Sequence, residues 1–442
     1  MSRPLPTAWL AAPVSIAPLV VFRILFGAMM LFSTLRFWAL GWIEDHYIQS
    51  KVQFKYFGFE WVELLPPVSM YALHIVMIVS ALGILLGAWY RWSALAFFLS
   101  FTYTELIDLT YYLNHYYFVS LVSGMLIFVP AARRCSVDAW RRPNLLCTHV
   151  PRWTIFIFQF QLAIVYTYAG LAKINHAWLI EAMPLRIWLP ANDALPLIGP
   201  LLAWKWMPWV FSWAGMLYDC SIVWWLAWPR TRVLAYVSVV VFHVLTGILF
   251  QIGVFPLVMM AATWIFFSEK FHERILTRLS NFLKLKKSDT AIVYKKPSPL
   301  GRVGWGLFFA FQLLFPWRYL AYPGNVFWTE EGYRFSWRVM LMEKAGTATF
   351  YVRNGATGRE GVVNNGDFLC AHQEKQMAMQ PDMILQFAHF LAKHYAEKGV
   401  SSPAVRAEVY VTLNAQPSRL LIDPNLDLTK IRDGWSHKTW IK

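Results

Sequence analysis

Nine stretches of this chain are apolar over enough consecutive positions to predict membrane-spanning helices. They lie near residues 14–36, 67–89, 92–110, 115–130, 153–172, 208–228, 232–249, 252–267 and 303–320. A bilayer's hydrocarbon core is about 30 Å thick and takes about 20 residues of helix to cross, which is the length these runs approach. The seventh and eighth runs are short and nearly contiguous, joined at "LFQIGVF", where Gly253 suits a tight turn. The first run is interrupted by Arg23, continues past Phe32 and lacks a small-residue cleavage site, so it reads as a retained span. From about residue 345 the pattern changes. "TATFYVRNGATGREGVV" alternates around a turn and predicts a hairpin. "PDMILQFAHFLAKHYAEKG" has helical periodicity stopped by Gly399, and "RAEVYVTLNAQPSRLLIDP" reads as two more strands. The expected fold is therefore mainly α: a polytopic helical membrane bundle of about nine spans with a small C-terminal α+β extracytoplasmic domain. The expected boundaries are 1–320 for the bundle, including a basic connector at about 268–302, and 321–442 for the small domain.

Composition agrees with a bilayer setting. Only 15% of the residues are charged, against roughly 25% in soluble domains, and mean hydropathy is +0.41. The formal net charge of +15 could suggest nucleic acid, but its distribution points elsewhere. Arginine-rich loops follow spans two, four and six, and the connector after span eight carries nine Lys/Arg against three acids. The first alternate loop has four acids against two lysines. That asymmetry is the positive-inside bias, so we expect a cytoplasmic N-terminus, an extracytoplasmic C-terminal domain, a lipid bilayer as partner and no nucleic acid. In the connector, Phe271, Ile275, Leu279, Phe282 and Leu283 fall close to helical spacing and predict an amphipathic interfacial helix. Cys135, Cys147, Cys220 and Cys370 show no metal-ligand spacing, and no disulfide framework is expected.

Ionisable residues inside spans need a partner or a task. Arg23 is expected to pair with Asp219, Asp108 or Glu105 and hold the bundle together. Asn114, His115, Lys173, His243 and Gln251 come from four separate segments, yet all are placed towards the outer surface. Each has a plain structural reading, as a snorkelling lysine, an interfacial histidine or a satisfied core histidine. Together they suggest an outward-facing polar cavity. A desolvated lysine amine is a candidate base for a weak acid such as a phenol, and a histidine or asparagine can donate hydrogen bonds to developing anions. Tyr111, Tyr112, Tyr116, Tyr117, Tyr166, Tyr168, Trp178 and Trp188 suit a flat lipid-soluble ring, and equally an interfacial aromatic belt.

At this point whole segments carry a resemblance. "FRILFGAMML", "SVDAWRRPNLLCTHVPRW", "IVYTYAGLAKINHAWL" and "FHVLTGILFQIGVFPLVMMA" resemble the membrane part of the vitamin K-dependent gamma-carboxylase family, the HTTM domain. "WTEEGYRFSWRVML", "YVRNGATGREGVVNNGDF" and "LIDPNLDL" extend the likeness, in order, through the C-terminal region. The resemblance implies reduced vitamin K (phylloquinol or menaquinol) as cofactor, O2 and CO2 as co-substrates, no metal, and a glutamate-containing peptide or protein as substrate. It implies an amine that deprotonates the quinol, oxygenation to a strong base, abstraction of a glutamate γ-proton, addition of CO2, and release of the quinone epoxide. By the same matching, Lys173 takes the place of the initiating base. His115, after Tyr112 and Asn114, takes that of the histidine at the oxygenated intermediate. His243 and Phe250 fall on the motif lining the quinone site, and Gln251 stands where animal members carry serine. Animal members are longer after the "DPNLDL" region and carry a cysteine in the first outer loop that is missing here. A short form of this kind points to a bacterial inner membrane. The residues leave open a quinol epoxidase without protein carboxylation, and a non-enzymatic scaffold or carrier built on the same bundle.

Overall fold

A computed structural model of the chain describes residues 6–250, 252–282, 294 and 299–442. Every stretch read as a span is helical: α1 (Ala17–Ala39), α2 (Pro67–Leu86), α3 (Tyr90–Ile107), α4 (Asn114–Phe128), α5 (Trp153–Ala172), α6 (Met207–Ala227), α7 (Arg232–Phe250) and α8 (Phe255–Ala262), then α9 (Glu269–Phe282) in the connector and α10 (Pro299–Leu314). The expectation of nine spans holds only in part. Among the described residues five helices, α1, α2, α5, α6 and α7, are long and apolar enough to cross a membrane. The others fall short for visible reasons. α3 carries Arg91, Glu105 and several hydroxyls, α4 stops before Pro130, α8 tightens into the 3-10 turn Thr263–Phe266, and α10 gives way at Phe315–Pro316 to a 3-10 segment.

The arginine-rich loops gather at one end of the bundle. There β1 (Pro13–Ser15) pairs antiparallel with β2 (His149–Pro151). Arg134 grips Glu273 of α9 through two hydrogen bonds of 2.7 and 2.8 Å, and Ser15 Oγ donates to the same carboxylate at 2.7 Å. The amphipathic helix expected in the connector is present as α9, but its inward stripe is His272, Leu276 and Ser280, while Phe282 is exposed. Leu283 lies outside the described residues.

Arg23 corrects the expected ion pair. It is fully buried, yet it meets no carboxylate; its Nη2 donates to the Cys135 carbonyl at 2.7 Å. Gly87, in the left-handed conformation that ends α2, makes this possible, because a Cβ there would stand 1.7 Å from Arg23 Nη1. Helix geometry explains the miss. α3 begins at Tyr90 beside this corner, and at 1.5 Å per residue Glu105 and Asp108 lie more than about 20 Å further along it.

The C-terminal region forms a four-stranded antiparallel sheet in the order β4-β3-β5-β6, with β3 (Lys344–Arg353), β4 (Glu360–Val362), β5 (Ala404–Leu413) and β6 (Arg419–Leu420). β3 and β4 are the expected hairpin, paired from Tyr351–Val362 to Arg353–Glu360. Alternate residues of β5 (Val405, Ala407, Val409, Val411) face inward, the pattern of a sheet with one covered face. α12 (Pro381–Glu397) covers it with Ile384, Phe387, Ala388 and Leu391, after the shorter α11 (Ala371–Met377). The same apolar cluster continues through Val52, Phe54, Tyr56 and Leu109, so the sheet's core merges with the loops at the bundle's other end. Polar bonds fix that seam. Gln373 Nε2 donates to Asp108 Oδ2 at 2.8 Å and to the Val52 carbonyl at 2.7 Å, and His372 Nε2 donates to the Thr110 carbonyl at 3.1 Å.

Candidate functional site

A cavity of about 1130 Å³ opens where the bundle meets residues 333–340 and 366–376 of the C-terminal region. Its wall comes from the last turns of α1 (Ser33, Arg36), the loop after it (Trp42, Asp45, His46), the α3–α4 junction (Glu105, Tyr111–Tyr116), the start of α8 (Phe255) and the C-terminal region (Arg338, Cys370, His372). The junction projects inward because Asp108, closing α3, accepts from the Thr110 amide at 2.9 Å and from its hydroxyl at 2.8 Å. This folds residues 109–113 into a tight connection before α4 starts.

Three of the residues singled out from the sequence meet here: Tyr112, Asn114 and His115. Two of them already have full work as fasteners. The Tyr112 hydroxyl donates to Asn114 Oδ1 at 3.1 Å and accepts from the Phe335 amide at 2.8 Å, and Asn114 Nδ2 donates to the Arg338 carbonyl at 3.0 Å. They tie residues 335–338 to the mouth of the bundle. His115 differs: its ring stacks obliquely against Tyr116 (4.5 Å) and Phe255 (5.4 Å), and neither nitrogen makes a hydrogen bond to the described residues. An imidazole with both nitrogens unspent on a cavity wall is free to act on a bound molecule.

Lys173 and His243 are at the same end of the bundle but do not line this cavity. Lys173 follows the last residue of α5, and its Nζ donates to Asp219 Oδ2 at 2.7 Å and to the Ala169 carbonyl at 3.2 Å, with the Trp178 ring 5.4 Å away. Both members of the pair are buried. Gly170 lets α5 and α6 approach closely enough to form it, since a Cβ there would come within 2.5 Å of Cys220 Sγ. His243 is hydrogen-bonded through Nε2 to the Tyr166 hydroxyl at 2.9 Å, and its Nδ1 is buried without a partner. The Phe255 ring stands between the two groups, 5.7 Å from His243 and 5.4 Å from His115. Phe250 packs on Trp188 with centroids 5.5 Å apart, away from the cavity wall. Gln251 lies outside the described residues. The sequence pattern predicts one layer for these side chains; Lys173 and His243 lie off the wall that carries His115, a lateral separation no single segment's pattern displays.

Other wall residues were missed from the sequence. Three of them, Trp42, His46 and His372, form with Tyr111, which the sequence did single out, a run of near-parallel rings with centroid spacings of 5.6, 4.0 and 4.8 Å that joins the loop after α1 to α11. Burial holds the His46 imidazole down to about 4, with His372 adding to the effect, so it is neutral at pH 7. Arg36 rests on the Trp42 ring at 4.8 Å.

This arrangement agrees with the family comparison. Residues 11–271 match the HTTM domain and residues 298–442 match the vitamin K-dependent gamma-carboxylase lumenal domain. The chain belongs to the vitamin K-dependent gamma-carboxylase family. No solved structure matches it. It is thus a carboxylase-like membrane protein, and the cavity lies where its HTTM helices meet the lumenal-type region.

Proposed function

We propose that this gamma-carboxylase family member is an integral membrane, quinol-dependent gamma-glutamyl carboxylase that couples oxidation of reduced vitamin K to its epoxide with carboxylation of a peptidyl glutamate. The observation that carries this reading is the uncommitted imidazole of His115 on the wall of an aromatic cavity roofed by the lumenal-type region. Ligand pockets for organic molecules run to about 300–1,000 Å³, so this space has room for a quinone ring and part of a peptide. Tyr116 and Phe255 line this space with aromatic rings that suit such a ligand. The quinol with O2 supplies, when bound, a base stronger than any side chain, which the γ-proton of glutamate requires.

The chain's own residues then have distinct tasks. His115 donates a hydrogen bond to a substrate oxygen. Tyr112 and Asn114 hold the roof in register and shut out water, which strengthens every polar contact within. Lys173 is the amine assigned to the first quinol proton, and in that role its contact with Asp219 must open. The bundle sits in a bacterial inner membrane with the N-terminus cytoplasmic and residues 321–442 outside, as one folded unit on the 1–320 bundle. The test is purified protein in detergent with reduced vitamin K, labelled bicarbonate and a short Glu-Glu peptide. Labelled peptide and epoxide that both vanish in His115→Ala support the assignment. Epoxide without labelled peptide would reduce the activity to quinol epoxidation, and neither product would leave a scaffold or carrier.

A further inference from the structure

Two carboxylates on the cavity wall, the exposed Asp45 and the half-buried Glu105, have no bonded partner among the described residues, whereas the other acids named here do. Asp108 is held by Thr110 and Gln373, Asp219 by Lys173, and Glu44 accepts from the Tyr71 hydroxyl at 3.2 Å. Glu105, in the last turn of α3, lines the cavity and has neither a hydrogen bond nor an ion pair among the described residues. Its surroundings include the phenols of Tyr47, Tyr56 and Tyr116, none of which is bonded to it. Arg36 is in the same wall, but no contact within ion-pair distance joins the two. An enclosed carboxyl without a partner is costly, and such groups concentrate at working sites. A structural role would show as a bond to the protein. Glu105 shows none among the described residues, and its side chain lines the cavity.

We propose that Glu105 is a catalytic proton acceptor in this cavity, taking a hydroxyl proton from the quinol bound there. The O–H bond of one quinol hydroxyl breaks, its electron pair stays on the quinol oxygen, and a new O–H bond forms at a carboxylate oxygen of Glu105. Quinol and O2 give epoxide and water, so the hydroxyl protons finally leave with the water oxygen. The quinol reacts with O2 as its anion, however, and a group at the cavity must hold the proton in the interval. Lys173, off the cavity wall and already paired with Asp219, is assigned one hydroxyl proton; Glu105, on the wall, takes the proton of the other hydroxyl. This rests on the quinol reading above.

The experiment uses the full chain in detergent. Reduced vitamin K is added without O2, and infrared difference spectra are recorded for wild type and Glu105→Gln. The expected result is a protonated-carboxyl band that grows with quinol in wild type and is missing in the variant. In air, Glu105→Gln should lower kcat for epoxide formation about a hundredfold, the size of a general-base contribution, with KM for quinol within about twofold, and Glu105→Asp should recover part of the rate. Wild-type kcat in Glu105→Gln, or a band that persists in it, overturns the proposal. If Glu105→Gln does not fold, the band must shift in Glu105→Asp, and an unshifted band overturns it equally. Should wild type form neither product yet show the Glu105 band, the carboxylase reading fails while proton transfer to Glu105 stands. With products formed and no band, the reverse holds.

Discussion

Lys173 Nζ and Asp219 Oδ2 are 2.7 Å apart in a buried contact between α5 and α6. The pair neutralises two charges that neither helix could bury alone, so it has a structural value independent of any chemistry. Lys173→Ala or Asp219→Asn should each lower stability by about 3–5 kcal/mol, because each strands the other partner. The double variant Lys173→Met/Asp219→Leu should recover most of that loss, since a packed apolar pair of similar volume removes both charges. Thermal unfolding in detergent reads stability, and epoxide formation reads chemistry. If the stable double variant keeps full activity, Lys173 is a structural residue and not the base.

The approach of α5 to α6 depends on one missing side chain. A Cβ at position 170 would lie 2.5 Å from Cys220 Sγ and 2.7 Å from the Cys220 amide nitrogen. Because backbone is among the atoms that must move, Gly170→Ala is expected to cost about 1–3 kcal/mol, the range for overpacking, and to lengthen the Lys173–Asp219 contact. The same substitution at Gly304, where nothing lies within 4 Å of the added Cβ, serves as the control and should leave unfolding unchanged.

The grip of the C-terminal sheet on the bundle runs through Gln373. Its amide reaches Asp108 Oδ2 and the Val52 carbonyl, both buried. Gln373→Leu preserves bulk but withdraws these hydrogen bonds, together with those to Ser50 Oγ and from the Cys370 amide, and should cost about 1–3 kcal/mol. The loss should be local. Hydrogen exchange is expected to rise in residues 365–377 and 108–112 while the β3–β5 ladder stays protected, and uniform deprotection would contradict this docking role.

How much of this was legible in the sequence follows from which forces act locally. Hydropathy located every helix of the bundle because the requirement for apolar length is a property of a single segment. It read nine spans, of which five helices among the described residues have the length and hydropathy to cross, while α3, α4, α8 and α10 are shorter or more polar. The C-terminal hairpin and α12 were legible from turn chemistry and from Gly399, which follows α12 at φ 89°. Pairings between segments were not. Arg23 was expected beside an acid because charges in spans need company, and it found the Cys135 carbonyl instead. Asp219 found Lys173 through the small residue Gly170, a relation between two helices that neither one's pattern displays. Glu105 and Arg36 were unreadable as wall residues for the same reason: the cavity they line is closed by residues 333–340 and 366–376, more than two hundred residues downstream.

The ring run through His46 predicts a pH response. In the unfolded chain a histidine has its ordinary value near 6.5, whereas burial among Trp42, Tyr111 and His372 holds His46 to about 4 in the fold. Between those values the unfolded state binds the extra proton, so acidification through this window draws the equilibrium towards unfolding, and stability rises again as pH returns to 7. His46 is partly accessible from the cavity, so solvent reduces the effect. His46→Phe keeps a flat ring between Trp42 and Tyr111 but cannot take up a proton. Its unfolding temperature should therefore fall less than that of wild type between pH 6.5 and 4, with the two proteins closest near pH 7. Cleavage between the bundle and the C-terminal sheet should also begin at a higher pH in wild type, because protonating His46 loosens its contact with Tyr111 and, through that ring, with His372. Identical pH dependence in the two proteins would mean that His46 is not what makes this seam sensitive to acid.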